Sequence, residues 1–173
     1  MSRRLTALVI GNAAYQDGGD LRNPVNDAED IAAKLADCGF TVSKKTDCTY
    51  LQMDRALRDF KKALADSDVG LFFFAGHGMQ IEGDNFLAAV DTDATGEVEA
   101  KHSSLPLNRI IEVMEKAENS SSIIILDACR NNPFERAWTR TARSRGLAPV
   151  YAPRGTLVAF ATSPGQFASD GRG

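Results

Sequence analysis

The sequence has few cysteines, little net charge and no long apolar run. Its three cysteines, Cys38, Cys48 and Cys129, are an odd number at irregular spacing, which argues against a disulfide framework or a zinc knuckle. Twenty Lys and Arg against twenty-three Asp and Glu give a net charge of −3, so there is no overall positive field to hold a phosphate backbone. We therefore expect no nucleic-acid partner and at least one free thiol.

Signal-peptide, membrane-span and nucleotide-binding patterns are also missing. The apolar run at residues 5–10 is too short for a signal-peptide core, and Gly-Asn follows it instead of a small-residue cleavage site. We therefore expect a cytoplasmic protein with no membrane partner. A Rossmann-like nucleotide binder built on Gly11 has little support, because the motif G-x-G-x-x-G is absent.

The patterns that are present predict one α/β domain. The 173 residues are 43% hydrophobic and 25% charged, which is ordinary for a single globular domain. Short apolar runs that are nearly continuous, rather than alternating, are typical of strands covered on both faces. Four such runs occur, at residues 5–10, 69–75, 123–126 and 156–161.

Helical patterns lie between these runs. Apolar residues repeat at helical spacing over 25–35, where Asn26 and Glu29 resemble a capping box, and over 51–65, where Thr49 and Gln52 do. A third helix is predicted over 107–116, a short strand over 40–44, and a hairpin from 79–81 to 86–89 through the turn 82–85. Alternating strands and helices predict a mainly parallel sheet with helices on both faces.

A histidine and a cysteine follow two of the predicted strands at the point where each strand ends. The run 69–75 leads into Gly-His-Gly around His77, and the run 123–126 leads into Asp-Ala-Cys ending at Cys129. If these strands are neighbours, the two side chains emerge at the same edge of the sheet. An imidazole can deprotonate an adjacent thiol and later protonate a leaving amine. The N–H groups of Gly78 and Cys129 would then hold the developing oxyanion.

Each residue alone has a simpler interpretation. A cysteine at a strand end is more often an inert small hydrophobe, and a histidine between glycines is compatible with a tight turn. Together they favour catalysis, because Cys129 follows His77 by 52 residues, close to the spacing of about fifty residues in caspase-type proteases.

Five motifs extend this similarity along the chain. In chain order they are 7–15 (ALVIGNAAY), 21–28 (LRNPVNDA), 74–78 (FAGHG), 127–134 (DACRNNPF) and 161–166 (ATSPGQ). They resemble the caspase-like cysteine peptidases, and specifically the bacterial metacaspase-like and paracaspase-like branch. The resemblance implies a three-layer caspase-haemoglobinase fold, here without its last strand and helices, and a His77/Cys129 dyad that cleaves peptide bonds.

The resemblance also implies a substrate preference. Caspases have glutamine before the Ala-Cys of the nucleophile motif, whereas this chain has Asp127, and the branch named above places acidic residues at the positions of Asp27 and Asp127. Two carboxylates can pair with a guanidinium, so we expect cleavage of protein or peptide substrates after Arg, with Lys weaker. Asp170 is a third candidate. The alternatives are that Asp127 orients His77 or caps a turn and that Asp27 stabilises the first turn of a helix.

An arginine-rich stretch follows the nucleophile motif. Residues 133–154 hold five arginines and one glutamate, a pattern compatible with a solvated surface loop. By the resemblance, residues 1–173 form one catalytic domain with a large-subunit-like part (1–132), this linker (133–154) and the start of a small-subunit-like part (155–173). The linker would then be a site of self-cleavage, and its candidate residues are Arg136, Arg140, Arg143, Arg145 and Arg154.

The sequence indicates less about metal ions and partners than about the catalytic residues. The stretch from Asp91 begins like a calcium loop but has His102 where an EF-hand requires glutamate, so we expect no required metal or cofactor, although calcium activates some relatives. We expect Asp91 and Asp93 instead to form hydrogen bonds within turns. We expect the remainder of a longer chain or a small-subunit-like fragment as a partner. The alternative function is a catalytically silent caspase-like domain used for interaction or assembly.

Overall fold

The molecule alternates strands and helices, as the sequence predicts. The computed structural model describes residues 3–17, 19–117, 121–129 and 147–161. The elements in these ranges are β1 (Leu5–Gly11), α1 (Pro24–Asp37), β2 (Phe40–Thr46), α2 (Tyr50–Leu64), β3 (Val69–Ile81), β4 (Asp84–Ala88), α3 (Glu97–His102), β5 (Ser104–Pro106), α4 (Leu107–Glu115), β6 (Ser121–Cys129) and β7 (Thr156–Phe160).

Five strands form a parallel sheet in the spatial order β2-β1-β3-β6-β7. The first part of β3 lies between β1 and β6, and its last residues, from Gly78 to Ile81, pair instead with the antiparallel strand β4. Strand β5 continues this antiparallel extension. The predicted strands 69–75 and 123–126 are therefore direct neighbours, and the prediction of a mainly parallel α/β sheet is confirmed.

Helices cover both faces of the parallel sheet. On one face, α2 and α4 pack on alternate residues of β1, β3 and β6, such as Leu8, Phe72 and Ile124, all of which are fully buried. On the other face, α1 covers the intervening residues, including Val9 and Phe73. This three-layer arrangement explains the continuous apolar runs, because both faces of each central strand are buried. The expectation that the fold lacks its last strand and helices concerns residues outside the described ranges.

The helix boundaries match the sequence patterns closely, with one error. Helix α2 has the predicted capping box, in which Thr49 Oγ1 accepts from Gln52 N–H and Gln52 Oε1 accepts from Thr49 N–H. The predicted box of Asn26 and Glu29 is wrong, because α1 already begins at Pro24 with Asn23 as its N-cap. Proline is favoured at the first helical position, since it lacks an N–H that would be unpaired there anyway.

The sequence patterns do not predict two short elements, and they make one turn too long. Helix α3 and strand β5 have six and three residues, too few for a periodic pattern to identify. The hairpin between β3 and β4 turns over Glu82 and Gly83, both with positive φ, rather than over four residues. Two-residue turns of this kind match the twist of the strands that they join.

None of the helices in the described ranges is both long and apolar enough to cross a membrane.

Candidate active site

His77 and Cys129 occupy matching positions on neighbouring parallel strands. The register of β3 and β6 pairs Ala75 with Asp127, Gly76 with Ala128 and His77 with Cys129. Both strands run toward the same edge of the sheet, so the two residues meet where β6 ends. The two strands are neighbours, as the sequence-based interpretation requires, but the expectation that both residues follow the ends of their strands is wrong. Strand β3 continues through His77 to Ile81, and β6 includes Cys129.

His77 is held by the loop that follows β1. The side chain is buried, with 4% exposed. Its backbone N–H donates to Tyr15 Oη over 2.8 Å, and its ring nitrogen Nε2 lies 2.5 Å from the carbonyl oxygen of Gly19. The rings of His77 and Tyr15 are 4.5 Å apart between centroids. The loop therefore fixes both the backbone and the ring of His77.

The contact with Gly19 determines which ring nitrogen carries a proton. A carbonyl oxygen can only accept a hydrogen bond, so Nε2 of His77 must be the donor. In the neutral imidazole, Nδ1 is then the nitrogen with the available lone pair. The ring is thereby arranged to accept a proton at Nδ1.

The loop after β1 is itself anchored to neighbouring segments. Asp47, which follows β2, accepts through Oδ1 from the N–H groups of Ala13 and Ala14 at 2.8 and 3.0 Å. Gln16 N–H donates to Val90 carbonyl oxygen over 2.8 Å. These bonds tie the first part of the loop, up to Gln16, to the segments that follow β2 and β4.

Asn12 connects three segments beneath this loop. Its side chain is fully buried, donates through Nδ2 to Ala88 carbonyl oxygen at 3.0 Å and accepts through Oδ1 from Cys48 N–H at 2.9 Å. Its backbone N–H donates to Ala75 carbonyl oxygen over 2.9 Å. A buried amide side chain satisfied in this way costs little to bury and defines one relative position of the segments.

The two glycines that flank His77 are required by close contacts. Gly76 has a φ of +151°, and a Cβ there would lie 2.6 Å from Tyr15 Oη. At Gly78, a Cβ would lie 2.9 Å from a methyl group of Leu147. Backbone conformation and space therefore both select glycine at Gly76, and packing selects it at Gly78.

Asp27 and Asp127 lie on the side of the sheet that α1 covers. The register partner of Asp127 is Ala75, which packs against α1 with Ala28. Asp27 is in the first turn of α1, and this turn approaches Gly11 so closely that a Cβ on Gly11 would lie 2.3 Å from Pro24 carbonyl oxygen. Both carboxylates are half-buried and lie near the carboxyl edge of the sheet. This close approach also gives Gly11 a packing role.

Several predicted residues lie outside the described ranges. These are the third pocket candidate Asp170 and four of the self-cleavage candidates, Arg136, Arg140, Arg143 and Arg145. The fifth, Arg154, is exposed in the turn before β7. The linker is partly described: Leu147 is buried against the core, and Ala148 exchanges two hydrogen bonds with the side chain of Asn85, at 2.6 and 2.8 Å.

The acidic residues after β4 make local hydrogen bonds. Asp91 Oδ1 accepts from Tyr50 N–H at the start of α2, over 2.7 Å. Asp93 accepts from the side chain and backbone of Thr95, and these hydrogen bonds lower the pKa of the Asp93 carboxyl. Within the described residues, no three metal-ligating side chains come together.

Two of the cysteines differ in accessibility. Cys38 is exposed and Cys48 is buried. Burial raises the pKa of the Cys48 thiol, the nearby charge of Lys45 lowers it and that of Asp47 raises it again. Cys48 is therefore a poor nucleophile in the folded protein.

Sequence reasoning assigned no role to Tyr15, Gly19 or Asn12. Tyr15 and Asn12 belong to the motif 7–15 that carries the family resemblance, but the motif does not reveal which strand end each residue contacts. Gly19 acts through a backbone carbonyl, for which the residue type gives no signal.

Comparison with known proteins identifies the family. A family model described as a caspase domain, Peptidase_C14, matches residues 4–173. Over 130 residues, or 75% of this chain, the sequence is 28% identical to "Mucosa-associated lymphoid tissue lymphoma translocation protein 1" of Homo sapiens and also to its Mus musculus homolog. The chain spans 15% of the length of each of these relatives.

A solved structure shares the fold. Protein GSU0716 from Geobacter sulfurreducens superimposes with a TM-score of 0.58 at 19% identity, covering 73% of this chain and 50% of that chain. The resemblance first inferred from five sequence motifs is thus confirmed by a model that spans nearly the whole chain. This chain belongs to the caspase domain family of cysteine peptidases.

Proposed function

We propose that this chain is a cysteine endopeptidase in which Cys129 is the nucleophile and His77 the general acid and base. The observation that carries the proposal is the register of β3 and β6, which pairs the two residues at the carboxyl edge of the sheet. The thiolate attacks the carbonyl carbon of the peptide bond, and the imidazolium protonates the leaving amine. Water then hydrolyses the thioester and releases Cys129.

The hydrogen bond to Gly19 supports a direct role for Nδ1 of His77. With the proton of Nε2 donated to the Gly19 carbonyl oxygen, Nδ1 takes the thiol proton and later delivers it to the leaving group. The carbonyl group also stabilises the positive charge that the ring gains, because the negative end of its dipole faces the imidazolium. Burial of the ring, with 4% exposed, strengthens this interaction by excluding water.

The direction of the backbone supports Gly78 as an oxyanion donor. The N–H of His77 points toward the loop after β1, where it meets Tyr15. In extended chains, successive N–H groups point to opposite edges of the strand, so the N–H of Gly78 points toward β6. That is the side on which Cys129 lies, and its own N–H is the second donor of the proposed oxyanion site.

Asp27 and Asp127 supply the proposed selectivity for Arg. Both are half-buried on the α1 side of the sheet, where reduced solvation strengthens pairing with a guanidinium. An ammonium group cannot form the bidentate pair that a guanidinium forms with a carboxylate, so peptide bonds after Lys are cleaved more slowly. An acidic substrate side chain before the cleaved bond is repelled by both carboxylates.

Peptide substrates that end in Arg, Lys or Asp before a fluorogenic leaving group test the selectivity. We expect the order Arg, then Lys, with no cleavage after Asp. Asp127→Asn is expected to lower kcat/KM for the Arg peptide by about tenfold to a hundredfold, since hydrogen bonds between charged groups contribute about 1.5–3 kcal/mol. Asp30→Asn is the control for the loss of one negative charge, because Asp30 is exposed on the helix that carries Asp27. Preferred cleavage after Asp would overturn the assignment of the pocket.

The proposed peptidase also cleaves its own linker. Arg154 is exposed before β7, and the other four arginines of the linker precede it in sequence. Incubation of the wild-type chain is expected to produce cuts after one or more of these arginines, as mapped by mass spectrometry. The Cys129→Ala variant must remain intact, and the same cuts in that variant would exclude self-processing.

The contacts of β7 and of the end of the linker predict that the two products stay together. Strand β7 pairs with β6 from Ser122 and Thr156 to Leu126 and Phe160, and the segment before it is fixed by Leu147 and Ala148. The small-subunit-like part therefore remains the partner of the large one. A cut sample is expected to elute as one species in size-exclusion chromatography, whereas separate elution of the fragments would contradict this part of the proposal.

Catalysis by this mechanism requires no metal ion. The imidazole activates the thiol, and backbone N–H groups stabilise the oxyanion. The carboxylates of Asp91 and Asp93 are already engaged in hydrogen bonds. We expect equal cleavage of the Arg peptide in calcium and in EDTA, and activation by calcium would show instead that a metal ion stabilises the active arrangement.

A further inference from the structure

The hydroxyl of Tyr15 lies against the backbone where Gly76 joins His77. It accepts the N–H of His77 over 2.8 Å, and it occupies the space that a side chain on residue 76 would need, 2.6 Å from an ideal Cβ. The Tyr15 ring also lies 4.5 Å from the imidazole, inclined at 47°. One side chain therefore constrains both the backbone and the ring of His77.

Tyr15 is fixed by contacts that do not involve His77. It is 5% exposed and packs in a small cluster with Met79, Ile81 and Phe86 from the β3–β4 hairpin. Its neighbour Gln16 donates its backbone N–H to Val90. These contacts hold the hydroxyl in place without a contribution from His77, as a positioning group requires.

The backbone around His77 lies where the pairing of β3 changes from β6 to β4. Glycine lacks a Cβ and samples regions of φ and ψ closed to other residues, and His77 has glycine on both sides. Without the bond to Tyr15, the N–H of His77 would lose its partner in a buried position. The segment from Gly76 to Gly78 could then rotate to recover a hydrogen bond, which would displace the imidazole.

We propose that Tyr15 is a positioning residue, whose hydroxyl sets the placement of the His77 imidazole relative to Cys129. Its effect on hydrolysis rests on the proposed peptidase function, whereas its effect on the placement of the imidazole does not. The Tyr15 hydroxyl acts on His77 through its backbone N–H, and the Tyr15 ring packs beside the imidazole.

The Tyr15→Phe variant removes the hydroxyl and keeps the ring. Tyr50→Phe is the matched control, because Tyr50 is half-buried on α2, at the first residue of that helix. We expect Tyr15→Phe to lower kcat for the Arg peptide by about tenfold to a hundredfold, the loss typical of a displacement near 1 Å, with KM unchanged. Tyr50→Phe is expected to leave kcat within twofold. Equal kcat in Tyr15→Phe and wild type would overturn the proposal.

NMR provides a readout that is independent of peptidase activity. The chain has two histidines, His77 and His102, so the imidazole signals can be assigned with one variant, His77→Ala. We expect Tyr15→Phe to shift or broaden the Nε2–H signal of His77, because its hydrogen bond to Gly19 is disturbed, and to leave the His102 signals unchanged. Identical His77 signals in Tyr15→Phe and wild type would refute the positioning role.

The two readouts separate the proposals. A wild-type chain that cleaves no peptide contradicts the proposed function, and the NMR comparison still decides whether Tyr15 places His77. A loss of kcat without any change in the His77 signals would contradict the positioning role and leave the peptidase function intact.

Discussion

Replacement of Gly76 by alanine tests the close packing on which the site depends. An added Cβ would lie 2.6 Å from Tyr15 Oη, 2.9 Å from Phe74 Cζ and 3.1 Å from the carbonyl oxygen of Asn12. Two of these three groups are parts of rigid, buried elements, because Phe74 is fully buried and the Asn12 backbone is hydrogen-bonded to β3. The new methyl group therefore cannot be accommodated by rotation of a flexible side chain.

Two costs add in this variant. A non-glycine residue at a φ of +151° has a strained backbone that costs on the order of 1–3 kcal/mol. Overpacking of a buried site costs about 1–3 kcal/mol more. We expect the free energy of unfolding to fall by about 2–6 kcal/mol in total, a large part of the roughly 5–15 kcal/mol that stabilises a typical domain.

Gly39→Ala separates the two costs. Gly39 has a φ of +88°, and a Cβ there would have no neighbour within 4 Å, so this variant has the backbone strain alone, about 1–2 kcal/mol. Urea unfolding followed by circular dichroism measures both variants against wild type. Gly76→Ala is expected to lose clearly more stability and most of its activity, whereas Gly39→Ala retains full activity. Equal destabilisation by the two substitutions would refute the steric argument.

Three further predictions follow from other contacts. Asn12→Leu should lower the free energy of unfolding by about 1–3 kcal/mol in urea titrations, because the buried N–H of Cys48 loses its acceptor; an unchanged midpoint would contradict this. Iodoacetamide should modify exposed Cys38 in the folded protein and Cys48 only after unfolding, as peptide mapping will show, and early modification of Cys48 would contradict the raised pKa of its thiol. The hydrogen bond from Lys101 lowers the pKa of Glu82, so the pair is stabilising above the ordinary Glu pKa, and this contribution is lost as the pH falls through the lowered value. Lys101→Met should raise the pKa of Glu82 in an NMR titration, and an unmoved pKa would show that the pair does not form in solution.

The main layers of the fold could be predicted because buried parallel strands have a strong sequence signal. The continuous apolar residues of β1, β3 and β6, followed by helical spacing in α1, α2 and α4, determine a three-layer sheet. Short elements such as α3 have no such signal. The start of α1 was misplaced because the capping-box pattern of Asn26 and Glu29 competes with the preference of Pro24 for the first helical position.

The site was predictable where strand ends determine it and unpredictable where loops do. The register of the adjacent strands β3 and β6 places His77 beside Cys129, and the sequence predicts this pairing only on the condition that the two strands are neighbours. The acceptor of the His77 ring is a backbone carbonyl, that of Gly19, and backbone groups are the same at every residue. The role of Tyr15 depends on the path of the loop after β1, which no local pattern specifies.

Modification of Cys129 by an electrophilic peptide that ends in arginine tests the central claim most directly. Such a reagent bonds covalently to the attacking sulfur, so peptide mapping by mass spectrometry identifies the nucleophile and the rate reports its activation. We predict rapid modification at Cys129 in wild type and a rate lower by roughly 10²–10⁴-fold in His77→Ala, as expected for loss of a general base. Modification of other cysteines at the same rate as Cys129, or an equal rate at Cys129 in His77→Ala, would contradict the proposal that these two residues form the catalytic pair.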